Sequence, residues 1–361
     1  MRRLSWYPVA LLASSCACSM ESAPCDPMAE TGVHELHERL VTLRDKGLMI
    51  GHQDDLMYGH DWAYEDGRSD IMESCGHYPA VMGWDLGGIE VGDSCNLDGV
   101  PFGSMRAAVA HADAMGCVVT MSWHMRNPVT GASSWDLSAG NIIPALLPGG
   151  ESHELYRCWM GRCADFLKSL KDKDGESIPV IFRPYHENTG GAFWWGCLTA
   201  TEEDYVSLWH WTVGFMHEAG VHNLLWAYST DIFRDAEEYM LRYPGDEYVD
   251  IMGWDAYHRP QDWDFVPGMR RMARTVADLA REHGKLAALT ETGSESVYMD
   301  DWWTGSLLPS VRGFGLSWVL LWRNAHDRDN HFFAPFRGHS SEEDFRAFVA
   351  QDDILVLDDI K

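Results

Sequence analysis

Short continuous apolar runs alternate with amphipathic stretches from about residue 48 onward. Eight runs stand out, at 48–52, 79–85, 117–124, 180–187, 223–229, 249–257, 286–291 and 315–324. Runs of this length, rich in Val, Ile, Leu and Met, fit parallel strands covered on both faces. Several intervening stretches repeat at the helical period. Leu155, Trp159, Cys163, Phe166 and Leu170 form one stripe, and Met269, Met272, Ala273, Val276, Leu279 and Ala280 form another. Thr201 with Asp204, and Ser340 with Glu343, predict capping boxes at the start of two further helices. Eight strands alternating with helices predict an α/β fold, a single (β/α)8 or TIM barrel. A doubly wound open sheet would share the alternation.

The C-terminal ends of the runs separate the two architectures. They read His52-Gln53-Asp54, Trp84-Asp85, Trp123-His124, His186-Glu187, Asp255-Ala256-Tyr257-His258, Glu291 and Trp322-Arg323-Asn324. Polar and aromatic residues crowd one end of nearly every run, which is where a barrel builds its active site. Two Gly-, Pro- and polar-rich stretches, 54–78 and 127–152, follow strands on that face and are expected to shape the cleft. With no linker or internal repeat in the way, 48–361 reads as one catalytic domain, preceded by a tail and leading helix over 19–47.

Composition narrows the partners. The 361 residues carry a net charge of −27, which excludes a face that neutralises a phosphate backbone, so no nucleic acid is expected. Seventeen Trp and 13 Tyr suit neutral, partly apolar ligands such as sugar rings. Arg2 and Arg3 precede a short apolar stretch and then Cys16 and Cys18, the layout of a secretory signal over 1–18. The run Leu-Leu-Ala-Ser-Ser-Cys resembles a bacterial lipobox. Lipidation of Cys16 or Cys18 would make the chain a periplasmic or cell-surface lipoprotein of a Gram-negative bacterium, touching membrane only through that anchor. The other seven cysteines show neither a CxxC pair nor zinc-ribbon spacing, so no metal is expected.

An acidic residue at the last position of an apolar strand is expensive to leave unsatisfied. Asp85, Glu187, Asp255 and Glu291 hold such positions. Glu187 lies between a histidine and an aromatic-rich loop, where desolvation raises a carboxyl toward the range of a general acid. It closes the fourth run and Glu291 the seventh, so in a barrel both reach one mouth from nearly opposite walls. Retaining glycosidases need two carboxyls about 5–5.5 Å apart.

Arg183-Pro184-Tyr185-His186-Glu187, with Phe193-Trp194-Trp195-Gly196 beyond it, resembles the hallmark of family 26 glycoside hydrolases, the β-mannanase family. The likeness extends over most of 48–361. A His before the acid/base, here His186, is characteristic of that family. The opening Ile50-Gly51-His52-Gln53-Asp54-Asp55 is similar to members from gut Bacteroidetes. The resemblance implies Glu187 as acid/base and Glu291 as nucleophile, acting by double displacement on β-1,4-mannan or manno-oligosaccharides. His124, Tyr257 and Trp322 would line the site. Asp85, His186, Trp194, Trp195 and Arg323 complete the expected substrate-binding set, with Trp194, Trp195 and Trp322 offering stacking faces and Tyr257 bonded to Glu291. No cofactor is expected, and the chain is expected to act as a monomer. One departure stands out: many relatives read Trp-Phe-Trp-Trp-Gly after the acid/base, and here the first position is Ala192.

Trp209 and Trp211 fall in a helical stretch and read as core, while Trp302 and Trp303 fit either role. Three rival readings stay open. His52, His124, His186 and His258 at strand ends would suit a metal-dependent hydrolase, although no HxH pair follows the first strand. A lipoprotein that only binds glycans is the second. The third is the same chemistry on mixed-linkage glucan or xylan. The residues leave endo against exo action open.

Overall fold

The computed structural model describes residues 23–361. The signal-like segment with Cys16 and Cys18 lies outside the described residues. Eight parallel strands follow in chain order: β1 (Leu48–Gln53), β2 (Val81–Asp85), β3 (Val118–Trp123), β4 (Val180–Pro184), β5 (Leu224–Thr230), β6 (Ile251–Tyr257), β7 (Leu286–Gly293) and β8 (Trp318–Leu321). Each pairs with the next, and β8 returns to β1 with Met49 opposite Trp318 and Gly51 opposite Leu320. That closure makes the sheet a barrel and removes the open-sheet alternative. Nearly every strand residue is buried, as parallel strands enclosed by helices require.

The outer helices include Phe102–Met115, His153–Lys168, Glu202–Glu218 and Phe265–Glu282, each between successive strands. In Glu202–Glu218 the Thr201 hydroxyl accepts the backbone N–H of Asp204 at 3.1 Å, which is half of the expected box, while the Asp204 carboxylate accepts from the Thr201 hydroxyl at 2.7 Å instead of from its backbone N–H. The second expected box differs. The last helix, Glu342–Val349, is preceded by Ser341, and the Ser340 hydroxyl instead donates to Asp300 at 2.6 Å. Leu155 also departs from its stripe. It is 46% exposed, and the buried face of its helix runs through Tyr156, Trp159, Met160 and Cys163.

Below the barrel, at the N-terminal ends of the strands, the segment before helix α1 (Thr31–Lys46) is tied down. The Cys25 backbone N–H donates to Asp250, just ahead of β6, at 2.6 Å. Asp26 pairs with His222, just ahead of β5, at 2.8 Å. All seven cysteines among the described residues are free thiols.

Candidate active site

At the opposite end of the barrel, β4 stops at Pro184, three residues short of the end of its apolar run. Tyr185 and Glu187 then adopt left-handed backbone, at φ 50° and 52°, on either side of His186. This kinked exit carries Glu187 over the mouth. Across from it, the pairing of β6 with β7 shifts register between Trp254 and Asp255, so that Asp255 lies beside Glu291. A bulge of this kind re-aims a side chain. The extra residue, Thr290, ties the irregularity together by donating its hydroxyl to Asp255 at 2.7 Å.

The result is a tight carboxylate group: one oxygen each from Glu187, Asp255 and Glu291 lie within 4.8 Å of one another. Its positive partner is the buried Arg183 guanidinium, which donates to Asp255 at 2.8 Å and to Glu291. The Tyr257 hydroxyl donates to the other Glu291 oxygen at 2.7 Å. Burial, followed by the negative charge of Asp255, Glu291 and Asp231, pushes the Glu187 carboxyl well above the ordinary glutamate range. Asp255 is pushed up to about 7 by burial, even with Arg183 pulling the other way. One carboxyl held protonated beside a second fixed by an arginine and a tyrosine is the division that acid catalysis with a nucleophilic partner demands.

A histidine pair forms one wall. The His124 Nδ1 pairs with Asp85 at 2.8 Å, and Asp85 also accepts the Ser122 hydroxyl at 2.7 Å and the Gly87 N–H at 2.7 Å. Burial alone would lower His124, but the charge and hydrogen bond of Asp85 outweigh it and the net direction is up. His186 goes the other way, well below the ordinary histidine value, through burial and then Arg183 and His124. The two rings meet Nε2 to Nε2 at 3.2 Å. Asp85 is fully buried, so its part is to orient His124 rather than to meet a ligand.

The aromatic expectations divide. Trp322 keeps part of its ring open, 6.2 Å from His124 between ring centroids. Trp194 and Trp195 are corrected, because both are fully buried. Their indole N–H groups donate to the carbonyls of Met125 and His186 at 3.0 and 2.8 Å, so they brace the loop beyond Glu187 and offer no face to a sugar. Trp302 and Trp303 are core as well, and so is Trp209. The exposed ring that sequence reasoning missed is Trp135, half exposed and stacked on His124 at 5.3 Å. Its position inside 127–152, the loop expected to shape the cleft, was the available signal. Arg323 is paired with Asp98 at 2.7 Å and lies over Tyr58.

The four strand-end histidines do not converge. His52 pairs with Asp55 at 2.6 Å, His258 accepts from Trp302 at 2.9 Å, and only His124 and His186 meet. A closed parallel barrel with two carboxyls facing each other from β4 and β7 defines the class of barrel glycoside hydrolases. The comparisons agree. The model of glycosyl hydrolase family 26 matches residues 25–304, and the chain belongs to that family. A family 26 β-mannanase from Bacteroides ovatus is 41% identical, with 91% of this chain and 95% of that chain covered at a TM-score of 0.89. An endo-β-1,4-mannanase from Cellulomonas fimi is 30% identical, with 94% and 78% covered at a TM-score of 0.85. A mannan endo-1,4-β-mannosidase from Bifidobacterium adolescentis is 31% identical over 327 residues, 82% of this chain. The chain spans only 32% of that relative's length.

Proposed function

We propose that this chain is a retaining glycoside hydrolase that cleaves β-1,4-mannosidic bonds in mannan, galactomannan or manno-oligosaccharides. The observation that carries this reading is the approach of Glu187 and Glu291 oxygens to within 4.8 Å. That spacing lies near the roughly 5–5.5 Å of retaining enzymes and short of the roughly 6.5–9.5 Å that leaves room for water in inverting ones. Glu291, held by Arg183 and Tyr257, attacks the anomeric carbon while Glu187 gives its proton to the departing oxygen. A glycosyl ester on Glu291 results. Glu187, now ionised, takes a proton from the water that opens the ester, and the configuration is retained. Trp322 and Trp135 provide ring faces for the sugar, and the bonded His124–His186 pair walls the site beside Glu187. The choice of mannan rests on the activities named for the relatives.

The lipobox-like run supports export as a periplasmic or cell-surface lipoprotein anchored at Cys16 or Cys18. Intact mass of protein from the native membrane, showing the acyl chains, tests this.

Linear mannan and mannohexaose test the activity. Proton NMR of the first sugar formed should show the β anomer, and mixed-linkage glucan and xylan should be cleaved far more slowly. Early formation of the α anomer would overturn the retaining assignment. In the same time course a ladder of products marks endo action, and a lone dimer from the outset marks exo action. Activity undiminished by a chelator sets aside the metal-dependent alternative.

A further inference from the structure

On one flank Glu187 opens into a cavity of about 720 Å³, bounded among others by Ala192, Asp231, Tyr257 and Arg259. Neither Glu291 nor Trp322 borders it. The sugar unit that Glu291 attacks lies against those two groups, and the unit that takes the Glu187 proton departs past the acid on its other side. The cavity is therefore placed for the departing unit. It presents little ring surface. Ala192 contributes only a methyl, the Phe193 ring is stacked on Trp195 at 4.7 Å with both buried, and Phe233 and Phe265 are buried in the wall.

What the cavity does present is hydrogen-bonding capacity, and much of that is taken up within the chain. One Asp231 oxygen accepts the Ile232 N–H at 2.7 Å, Arg234 pairs with Glu238 at 3.0 Å, and the Tyr257 hydroxyl is occupied by Glu291. Asp262 accepts the Arg259 backbone N–H at 3.0 Å, which closes the turn past β6 and fixes the point from which the Arg259 side chain starts. The guanidinium itself is exposed and makes no hydrogen bond or ion pair among the described residues. Its five N–H donors in a fixed fork suit the neighbouring hydroxyls of a sugar. An anion is a poor occupant, because Asp231, Asp262 and Asp264 border the same space in a chain of net charge −27. Resting on the glycosidase reading, we propose that Arg259 is a binding residue for the leaving sugar: its guanidinium donates to hydroxyls of the unit that Glu187 releases, in a subsite that holds its occupant by hydrogen bonds rather than by a stacked ring.

The test compares kcat/KM of the full chain on mannotetraose, which places sugar on the leaving side, and on a dinitrophenyl mannobioside, which does not. In Arg259→Met the value for mannotetraose should fall about tenfold, carried mostly by KM. The dinitrophenyl substrate should stay within about twofold of the parent, since its leaving group has no hydroxyl to hold. Arg259→Lys, which keeps a charged donor, should recover most of the loss. Arg259→Gln reads the same way as the Met variant should that one not fold. An equal loss on both substrates makes Arg259 a structural residue of the turn and overturns the proposal, and so does no loss on either. Failure of the underlying reading looks different, because the unaltered chain would then release no sugar from mannotetraose or mannan.

Discussion

Tyr185 and Glu187 hold left-handed backbone without glycine's freedom. Each such residue costs on the order of 1–3 kcal/mol and persists only where its surroundings over-determine it. Here the Tyr185 hydroxyl bonds Thr212 at 2.8 Å, its carbonyl accepts from Tyr205 at 3.1 Å, and Trp195 grips the His186 carbonyl. The strain is what lifts the acid clear of the strand. Removing the Glu187 side chain should slow hydrolysis of unactivated oligosaccharides by roughly 10²–10⁴-fold, while dinitrophenyl glycosides keep their first step. Glu291→Ala should abolish both, and near-normal mannan turnover by that variant would make the nucleophile assignment wrong. Arg183 raises a stability question instead. Its side chain and those of Asp255 and Glu291 are each 4% exposed or less, so Arg183→Met strands two neighbouring carboxylates. A loss of about 3–5 kcal/mol is expected in urea denaturation.

Among the elements, helix Glu202–Glu218 depends on its cap, and Thr201→Ala should cost about 0.5–2 kcal/mol in the same denaturation assay. The aromatic loops give a sharper contrast. Trp194→Phe should lower the melting temperature with little change in KM, since only a buried N–H is lost, whereas Trp135→Ala should raise KM severalfold with little change in melting. The reverse pattern would show the two roles exchanged. These elements also mark what could be read from the chain. All eight strands were legible, because a strand covered on both faces writes itself as an unbroken apolar run. Glu187, Glu291, Tyr257 and His124 were legible because they end such runs. Trp194 and Trp195 misled, since an indole with a carbonyl for its N–H can be core, and spelling does not distinguish that from a platform. Trp135 sits in a loop with no period to read. The Thr290 bulge left no trace in the pattern, because it changes register and not composition.

At the scale of the whole molecule, several buried groups pull stability in one direction. Burial, then the charge of Asp98, pushes Asp54 up to about 8, and Asp255 stands at about 7. Both lie above the unfolded value of about 3.9. The folded chain therefore keeps these protons while the unfolded chain releases them, and stability falls as pH rises from about 4 to 8. His124, shifted upward, adds to the same trend, because a histidine favoured in its charged form loses that contribution as pH rises through its folded value. Asp85, held low by His124 against the effect of burial, acts in reverse and weakens the fold only in acid. The melting temperature should therefore peak near pH 4 and decline toward pH 8, by differential scanning calorimetry. Asp54→Asn should flatten that decline, leaving pH 4 nearly unchanged and gaining at pH 8. A parallel curve would place the decline elsewhere.

The ties that Cys25 and Asp26 make beneath the barrel have a practical consequence. They moor the start of the described chain at the pole facing away from the carboxylates. Whatever is hung from that end, whether a fatty acyl group, a bead or a fusion partner, suspends the molecule with its opening turned outward. A long polymer can then be threaded in without first being peeled from the support.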